Sequence, residues 1–353
     1  MKLNEQICHS EGRSDEESKK KITLQETAAF LLKNDNYLIL THRRPDGDTI
    51  GCAAALCRGL RAIGKTARIY ENPQFTPKFA PYLAELTQSG RRDEPCSSAD
   101  KQGLSLQREI ILSVDVAAKS LFPFGMEDAD VALAIDHHGS NEGFAAQTFV
   151  KADAAACGEI VWALLGLLDV SPTKEIAEAV YVAVSTDTGC FRYSNVTANT
   201  LRVAADCIAC GADVYPINRV MFETKRWARL RLESFLVQTA EFYRGGFVAV
   251  CAIPNEILTE YGLTEDDIDD ISAFARNIEG VQIGVTLREV EGGAGKISVR
   301  TGAGCDASSI CRRLGGGGHP AAAGATVPGG IEAAKTAVLA AIEEELCVFN
   351  AAN

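Results

Sequence analysis

The chain has 353 residues, enough for two domains at roughly 100–200 residues each. Hydrophobic residues make up 46% and charged residues 23%, and no apolar run approaches the roughly 18 residues that a membrane span needs, so a soluble globular protein is expected. The net charge of −12 argues against a broad basic face for long nucleic acid. This net charge is compatible with a short anionic substrate that metal ions and a few arginines hold.

The N-terminus and the cysteines bear on location. The first twenty residues lack the apolar segment of a secretory signal, and we expect residues 1–21 to form a polar tail. The twelve cysteines are scattered through apolar stretches such as GCAAALC, which is typical of reduced core thiols rather than disulfides. Both observations predict a cytoplasmic protein that neither spans nor binds a membrane.

Short apolar runs alternate with helical ones from Tyr37 to Val150. The runs NYLIL, TARIYE, REIILSVDV, DVALAIDHH and AQTFV are strand-like, and near-continuous apolar strands separated by helices indicate a parallel sheet covered on both faces. Gly64 is expected to end the first intervening helix as a left-handed cap, and residues 91–107 have loop composition. Three helical patterns follow, the last capped by Thr197 or Asn199, so we expect a first domain over residues 22–214.

The rest of the chain predicts a helical linker over residues 215–243 and a smaller domain over residues 244–348. GFVAVCAIP is strand-like, DDIDDISAFARNI is expected to form a helix, and VQIGVTLREVEGGAGKISVRT a hairpin with its turn at Gly292 to Gly295. A glycine-rich loop and a final helix ending near Leu346 complete it. This order of elements is typical of a small α+β domain.

The stretch THRRPDGDTIGC places His42, Asp46 and Asp48 directly after an apolar strand. Charge is costly there unless something pairs with it. Taken alone, the stretch could equally be a Pro-Asp-Gly turn followed by a helix cap, because aspartate is favoured in both places.

Further acidic and histidine residues follow other apolar segments, and these are Asp115, Asp136, His137, His138 and Asp187. Loops at the carboxyl ends of parallel strands converge on one crevice, so five carboxylates and three histidines are expected to meet there. Such a density of negative charge requires cations at neutral pH.

The ligand types indicate the metal. Carboxylate oxygens mixed with imidazole, without cysteine, favour six-coordinate Mn²⁺ or Mg²⁺ over a closed zinc site. We expect two divalent ions, with Mn²⁺ favoured and Mg²⁺ or Co²⁺ as alternatives. A pair of such ions serves in-line displacement at phosphorus.

The motifs HRRPDGD, SVDV, DHH and STDTG, together with GGGGHPAAAGA from Gly315 to Ala325, resemble those of the DHH phosphoesterase family with a DHHA1-type second domain. The order and spacing of the motifs match the nano-RNases of that family. The resemblance implies an α/β fold of two domains, a parallel-sheet DHH domain and a smaller α+β DHHA1 domain, joined by a helical linker.

The resemblance also implies a role for each residue of the first domain. The ligands implied for one metal ion are His42, Asp46 and Asp115. The ligands implied for the other are Asp48, Asp115, His137 and Asp187, so that Asp115 bridges the two. His138 would face the scissile phosphate or its leaving oxygen, and Asp136 would orient a neighbouring histidine.

The second domain is expected to hold the substrate. Four consecutive glycines let the backbone approach an anion closely and offer its N–H groups. By the resemblance, the substrate-binding residues of this loop are Gly316, Gly317, Gly318 and His319. Arginine binds phosphate through its planar fork, and the arginines expected to do so are Arg192, Arg276 and Arg300.

The expected activity is metal-dependent hydrolysis of short oligoribonucleotides to nucleoside monophosphates, together with removal of the 3′-phosphate of adenosine 3′,5′-bisphosphate. One alternative is a phosphodiesterase for cyclic di-AMP or pApA, and another is a non-catalytic nucleotide-binding regulator. Cys52 replaces the serine expected after the first motif, and SVDVAAKSLF lacks the usual polar residues and arginine. We expect neither departure to touch a metal ligand. The oligomeric state is left open between monomer and homodimer, and Arg43 and Arg44 have no assigned role.

Overall fold

The computed structural model of the chain describes residues 19–87, 109–268, 270–290, 292–302 and 304–352. Most of the predicted N-terminal tail and the predicted loop at 91–107 lie outside the described residues. The chain divides into two compact units, Met1–Thr224 and Lys225–Asn353. Within the described ranges, no helix combines the length and the apolar character that a membrane span requires.

The first unit is built on a six-stranded sheet. Its strands are β1 (Lys20–Lys21), β2 (Tyr37–Leu40), β3 (Ala67–Ile69), β4 (Ile110–Val114), β5 (Val131–Asp136) and β6 (Gln147–Val150). They lie in the order β1-β6-β5-β4-β2-β3, and every neighbouring pair is parallel, which confirms the predicted parallel sheet. Lys20 and Lys21, placed in the tail by the sequence, pair with β6 instead.

Seven α-helices accompany this sheet in the described part of the first unit. They are α1 (Leu24–Lys33), α2 (Gly47–Ala62), α3 (Ala80–Leu83), α4 (Cys157–Leu167), α5 (Lys174–Asp187), α6 (Ala198–Ala209) and α7 (Val214–Asn218). A π-helical turn, Arg219–Glu223, follows α7. Thr197 caps α6 through its side chain, and Gly64 after α2 has the predicted left-handed conformation, with φ 81°.

The close packing of α2 against α5 positions the ends of both helices. A Cβ atom added at Gly51 in α2 would lie 2.3 Å from the carbonyl oxygen of Ala179 in α5, and one added at Gly47 would lie 2.3 Å from Oγ1 of Thr186. Only glycine allows the helices to approach this closely. As a result, the N-terminal end of α2 lies beside the C-terminal end of α5, where Asp187 is located.

The second unit has a mixed sheet. Its strands are β7 (Glu241–Tyr243), β8 (Val248–Ile253), β9 (Ile283–Val290), β10 (Ala294–Thr301), β11 (Gly317–His319) and β12 (Ala322–Pro328). They lie in the order β11-β12-β10-β9-β8-β7, and only β8 and β9 are parallel among the described pairs. Its helices are α8 (Trp227–Thr239), α9 (Asn255–Tyr261), α10 (Glu265–Ile268), α11 (Ala307–Arg312) and α12 (Gly330–Ala352). The α+β prediction for this part is confirmed.

The predicted helix over DDIDDISAFARNI does not form as one element. It is divided into α10 and two 3₁₀ turns, Ile271–Ala273 and Ala275–Asn277. The backbone carbonyl of Asp267 accepts a hydrogen bond from Nη1 of Arg229 at 2.6 Å. A longer helix would use that carbonyl for its own backbone bond, so this contact competes with a continuous helix.

Three boundaries of the second unit also differ from the predictions. The turn between β9 and β10 is shorter than predicted, because Ala294 already pairs with Val290. The predicted glycine-rich loop contains β11, which pairs with β12 as an antiparallel hairpin. Helix α12 continues to Ala352 rather than ending near Leu346.

Candidate metal centre

Three neighbouring strands carry the first part of the site at their carboxyl ends. In the order β5-β4-β2, His138 and His137 follow β5, Asp115 follows β4, and His42 follows β2. Because parallel strands end at the same edge of a sheet, these side chains lie close together. Helices α2 and α5 bring the remaining aspartates to the same edge.

One group of side chains consists of His42, Asp46 and Asp115. Each offers one ligand atom, and these atoms all lie within 4.8 Å of one another. Asp46 is also the N-cap of α2, since its Oδ1 accepts hydrogen bonds from the N–H groups of Asp48 (3.1 Å) and Thr49 (3.2 Å). Nε2 of His42 lies 3.4 Å from the same Oδ1. The helix cap and the approach of Asp46 to the other candidate ligands therefore occur together.

A second group consists of Asp48, His137 and Asp187, whose ligand atoms likewise lie within 4.8 Å of one another. Nε2 of His137 is 3.6 Å from Oδ2 of Asp187 and 3.5 Å from Oδ1 of Asp115. Its other ring nitrogen, Nδ1, lies 3.1 Å from the Ala154 carbonyl oxygen. A carbonyl can only accept, so the proton belongs on Nδ1, and Nε2 presents its lone pair to the carboxylates, as a metal-binding histidine must.

Asp48 is held in place by the N-terminal end of α4. It is 1% exposed, and its two carboxylate oxygens accept hydrogen bonds from the N–H groups of Cys157 (2.6 Å) and Gly158 (2.9 Å). The helix N-terminus supplies free donors and a favourable dipole for this charge. The thiol of Cys52 also contacts Oδ1 of Asp48, at 3.2 Å. The prediction that Cys52 touches no metal ligand is therefore wrong, because one helical turn brings residues four apart together.

Asp115 is the most constrained residue of the site. It is 3% exposed, its backbone has a φ of 59°, and its Oδ1 has no hydrogen-bond partner among the described residues. A left-handed, non-glycine residue is strained, and a buried carboxylate oxygen without a partner is rare. Both features are explained if that oxygen is a metal ligand.

The electrostatics of the cluster also favour cations. Burial raises the pKa of Asp48 well above its usual range, and the charges of Asp187 and Asp46 raise it further. Burial, followed by the charges of Asp48 and Asp46, does the same to the pKa of Asp115. These carboxylates therefore resist ionising together unless positive charge is bound between them. The oxygen and imidazole donors fit divalent ions such as Mn²⁺.

His138 forms a third group with Asp115 and His137, whose ligand atoms also lie within 4.8 Å of one another, and it is hydrogen-bonded to Asp136. Nδ1 of His138 lies 2.8 Å from Oδ1 of the buried Asp136. Asp136 also accepts hydrogen bonds from the backbone N–H groups of His137 (2.8 Å) and His138 (3.2 Å). Burial tends to raise the pKa of Asp136, but hydrogen bonds from His138 and Asn141 outweigh it and lower that pKa. The bond to Asp136 in turn raises the pKa of His138, although burial opposes this.

Two asparagines that were not predicted as site residues form hydrogen bonds to these residues. Nδ2 of Asn141 donates to Oδ2 of Asp136 (2.6 Å) and to the Val116 carbonyl (3.1 Å). Nδ2 of Asn195 donates to the carbonyl of Asp187 (3.1 Å), next to the second group. Each asparagine lies in an irregular stretch within eight residues of a predicted site residue, and that was the signal available in the sequence.

The predicted substrate-binding residues are divided between the two units. Arg192 is in the first unit, where its Nε donates to the Gly189 carbonyl at 2.5 Å. In the second unit, Ala322 pairs with Arg300 of β10 on one side and with His319 of β11 on the other. Directly opposed residues of an antiparallel pair face the same side, so Arg300 and His319 share one face of the sheet.

Arg276 lies against the same sheet. Gly284 of β9 pairs with Arg300, and a Cβ atom at Gly284 would lie 2.5 Å from the backbone nitrogen of Arg276. Nε of Arg276 is buried without a hydrogen-bond partner among the described residues. The second unit therefore places Arg276, Arg300 and His319 in one row across its sheet. Gly317 and Gly318 belong to the same strand as His319, and Gly316 precedes that strand.

Comparisons with known proteins agree with this architecture. The family model for the DHH family, N-terminal domain, matches residues 36–184, and the model for the DHHA1 domain matches residues 245–346. The chain is similar to a protein of Thermus thermophilus named bifunctional oligoribonuclease and PAP phosphatase NrnA, with 34% identity over 310 residues, which are 87% of this chain and 89% of the relative. A protein of the same name from Bacillus subtilis is 25% identical over 302 residues, 83% of this chain and 90% of the relative.

Among solved structures, an exopolyphosphatase-related protein from Bacteroides fragilis shares the fold with a TM-score of 0.79 at 24% identity, covering 93% of this chain and 97% of that one. The two family models match in the predicted order, and the Thermus relative is matched along most of its length. The chain belongs to the DHH/DHHA1 phosphoesterase family, as its motifs predicted.

Proposed function

We propose that this protein hydrolyses short oligoribonucleotides to nucleoside monophosphates and also removes the 3′-phosphate of adenosine 3′,5′-bisphosphate. The observation that supports this most directly is the position of the buried Asp115 between His42 and Asp46 on one side and His137 on the other. Its Oδ1 has no hydrogen-bond partner among the described residues. The names of the two NrnA relatives supply the substrate class.

In this proposal, two divalent ions bind at the site, with Mn²⁺ favoured. The residues that would hold one are His42, Asp46 and Asp115, and those that would hold the other are Asp48, Asp115, His137 and Asp187. Bound divalent ions polarise a phosphate and lower the pKa of water, which is the chemistry that hydrolysis requires. The Ala154 carbonyl and the N-terminal end of α4 hold His137 and Asp48 in the orientation that a ligand needs.

His138 is proposed as the proton donor for the leaving oxygen. Its Nδ1 is occupied by Asp136, so Nε2 is the atom that would face the phosphate. The hydrogen bond to Asp136 raises the pKa of His138 above its usual range, which favours the protonated ring that a proton donor needs, and the ionised Asp136 stabilises the resulting cation. Asn141 holds Asp136 in turn, which fixes the plane of the imidazole.

The row of Arg276, Arg300 and His319 is proposed to bind the phosphate or terminal nucleotide of the substrate. These side chains offer guanidinium and imidazole donors on one region of the second unit's sheet, and Gly317 and Gly318 leave the backbone of β11 open to an anion. A few donors suit a substrate of a few nucleotides, which agrees with the acidic chain.

We also propose a cytoplasmic location. All ten cysteines in the described part of the chain are free thiols, and nine of them are in buried or partly buried positions of the kind that a reducing compartment preserves.

The test is a panel of substrates with Mn²⁺. RNAs of two to five nucleotides, labelled at either end, are compared with adenosine 3′,5′-bisphosphate, pApA and cyclic di-AMP, and Asp115→Asn serves as the inactive control. Release of mononucleotides from the short RNAs is expected. Preferential cleavage of cyclic di-AMP would assign the protein to the alternative phosphodiesterase class, and binding without turnover of any substrate would make it a regulator.

A further inference from the structure

The segment that follows Asp187 has an unusual backbone. Gly189, Cys190 and Phe191 have φ values of 55°, 58° and 61°, so three consecutive residues are left-handed and two of them are not glycine. Such residues are strained, and they persist only where surrounding contacts hold them. Here Thr188 supplies those contacts, because its hydroxyl accepts the N–H of Phe191 (3.2 Å) and its carbonyl accepts the N–H of Arg192 (2.9 Å).

The left-handed turn brings the chain back over itself. The N–H of Tyr193 donates to the Thr188 carbonyl at 3.1 Å, and the aromatic ring of Tyr193 lies directly on Gly189. A Cβ atom at Gly189 would lie 2.3 Å from Cζ of that ring, so the ring packs against the backbone of Gly189. The contact lies two residues from Asp187, which belongs to the candidate metal centre.

Tyr193 remains open to solvent in this position. It is 58% exposed, and its ring packs on Gly189. An exposed tyrosine offers a flat face to a ligand at a low cost in conformational freedom, because its side chain has only two torsions. Tyr215 in α7 is also exposed, but it lies in a different segment of the chain.

Arg192 lies beside this ring in the chain. Its Nε is bound to the Gly189 carbonyl, and its two terminal nitrogens make no hydrogen bond to the described residues. The turn thus presents a cationic side chain and an aromatic ring at consecutive positions of the chain. Phosphate and nucleobase, adjacent in every nucleotide, are the groups that these two side chains recognise.

We propose that Tyr193 stacks on the base of the nucleotide whose phosphate lies at the metal centre, while Arg192 contacts that nucleotide's phosphate. This inference rests on the proposed function and extends it, because it assigns the base contact of the first unit to a residue. Stacking tolerates any base, since every base has a flat face. The site therefore requires a base without selecting its identity, and phosphoesters without a base are bound less tightly.

Calorimetric titration with Mn²⁺ present tests this with two ligands, AMP and ribose 5-phosphate, which differ only in the base. The wild type is expected to bind AMP more tightly. Tyr193→Ala is expected to raise the Kd of AMP by about 5- to 150-fold and to leave that of ribose 5-phosphate unchanged. Tyr193→Phe keeps the ring and should stay within about twofold of the wild type. Tyr215→Ala, which removes a tyrosine that is 68% exposed, is the matched control and should change neither.

Equal loss of both ligands in Tyr193→Ala would overturn the inference, because the substitution would then act through the metal centre. So would unchanged AMP binding, or an equal loss in Tyr215→Ala. Thermal melts confirm that the variants fold. The titration needs no turnover: base-dependent binding without RNA hydrolysis would refute only the proposed function, whereas RNA hydrolysis with an unaltered KM in Tyr193→Ala would refute only the stacking role.

Discussion

The substitution Asp115→Asn removes one negative charge from the centre of the carboxylate cluster and changes little else. Asparagine has the same shape as aspartate, and it tolerates the left-handed backbone found here, where φ is 59°. Because Asp115 belongs to the group with His42 and Asp46 and lies 3.5 Å from His137, we expect the variant to lose metal binding and hydrolysis.

The same substitution should stabilise the protein when no metal is bound. The ligand oxygens of Asp46 and Asp115 lie within 4.8 Å of each other, and two full charges at that distance repel by about 3.5 kcal/mol at an effective dielectric constant of about 20. Protonation relieves part of this repulsion, so we expect the free energy of unfolding to rise by about 1–3 kcal/mol at pH 8. For a unit of this size, that is a Tm increase of roughly 2–10 °C.

The sign of the pH dependence follows from the raised pKa values of Asp48 and Asp115. Above the pKa of about 3.9 that aspartate has in an unfolded chain, the metal-free folded protein holds protons that the unfolded chain has released. The contribution of these two groups to stability is therefore fully present below about pH 3.9 and decreases as pH rises through the raised pKa values. Asp115→Asn removes one of these groups, so its decrease should be smaller.

The assay is thermal unfolding of chelator-treated protein at pH 5 and pH 8, followed by titration with Mn²⁺. The wild type should gain Tm with Mn²⁺, most strongly at pH 8, and Asp115→Asn should not. Asp169→Asn is the matched control, because Asp169 is exposed and has a similar left-handed backbone, with φ 55°. A lower Tm of metal-free Asp115→Asn at pH 8, or an undiminished response to Mn²⁺, would refute this account of the site.

Three further substitutions test the surroundings of the site. Cys52→Ala removes the thiol at Asp48 and should weaken Mn²⁺ binding by about 10- to 100-fold, whereas Cys52→Ser keeps a donor and should restore it; equal affinities, measured by calorimetry, would contradict this role. His138→Gln should lower kcat by roughly 10²- to 10⁴-fold while the Mn²⁺-induced rise in Tm persists, and loss of that rise would make His138 a ligand instead. Gly51→Ala inserts a methyl group 2.3 Å from a carbonyl oxygen of α5 and should lower the free energy of unfolding, measured by chemical denaturation, by about 1–3 kcal/mol. Gly166→Ala, in open space on α4, should raise it by about 0.5–1 kcal/mol, and similar effects of the two substitutions would disprove the close approach of α2 and α5.

Much of the first unit could be predicted from local sequence. Strands that are apolar along their whole length, such as YLIL, bury side chains on both faces. This pattern is typical of a parallel sheet with helices on each side. A parallel sheet in turn brings its carboxyl ends to one edge, so the positions of Asp115 and His137 after their strands already implied that they would meet.

The second unit was harder to predict where long-range bonds compete with local propensity. DDIDDISAFARNI has helical spacing, but Arg229 donates to the backbone carbonyl of Asp267, which a longer helix would use. The glycine run GGGGH carries no strand signal of its own. It forms β11 because β12 offers an unpaired edge.

Short stretches of sequence were enough to predict the family, the order of the two sheets and the side chains that converge, because these features depend on local patterns. The support of each side chain depends instead on contacts between distant parts of the folded chain. Asp48 is held by the N-terminal end of α4, more than a hundred residues away, and Asn195 supports Asp187 only after a left-handed turn returns the chain. Such contacts depend on the distance between atoms in the folded chain, which spacing along the sequence does not specify.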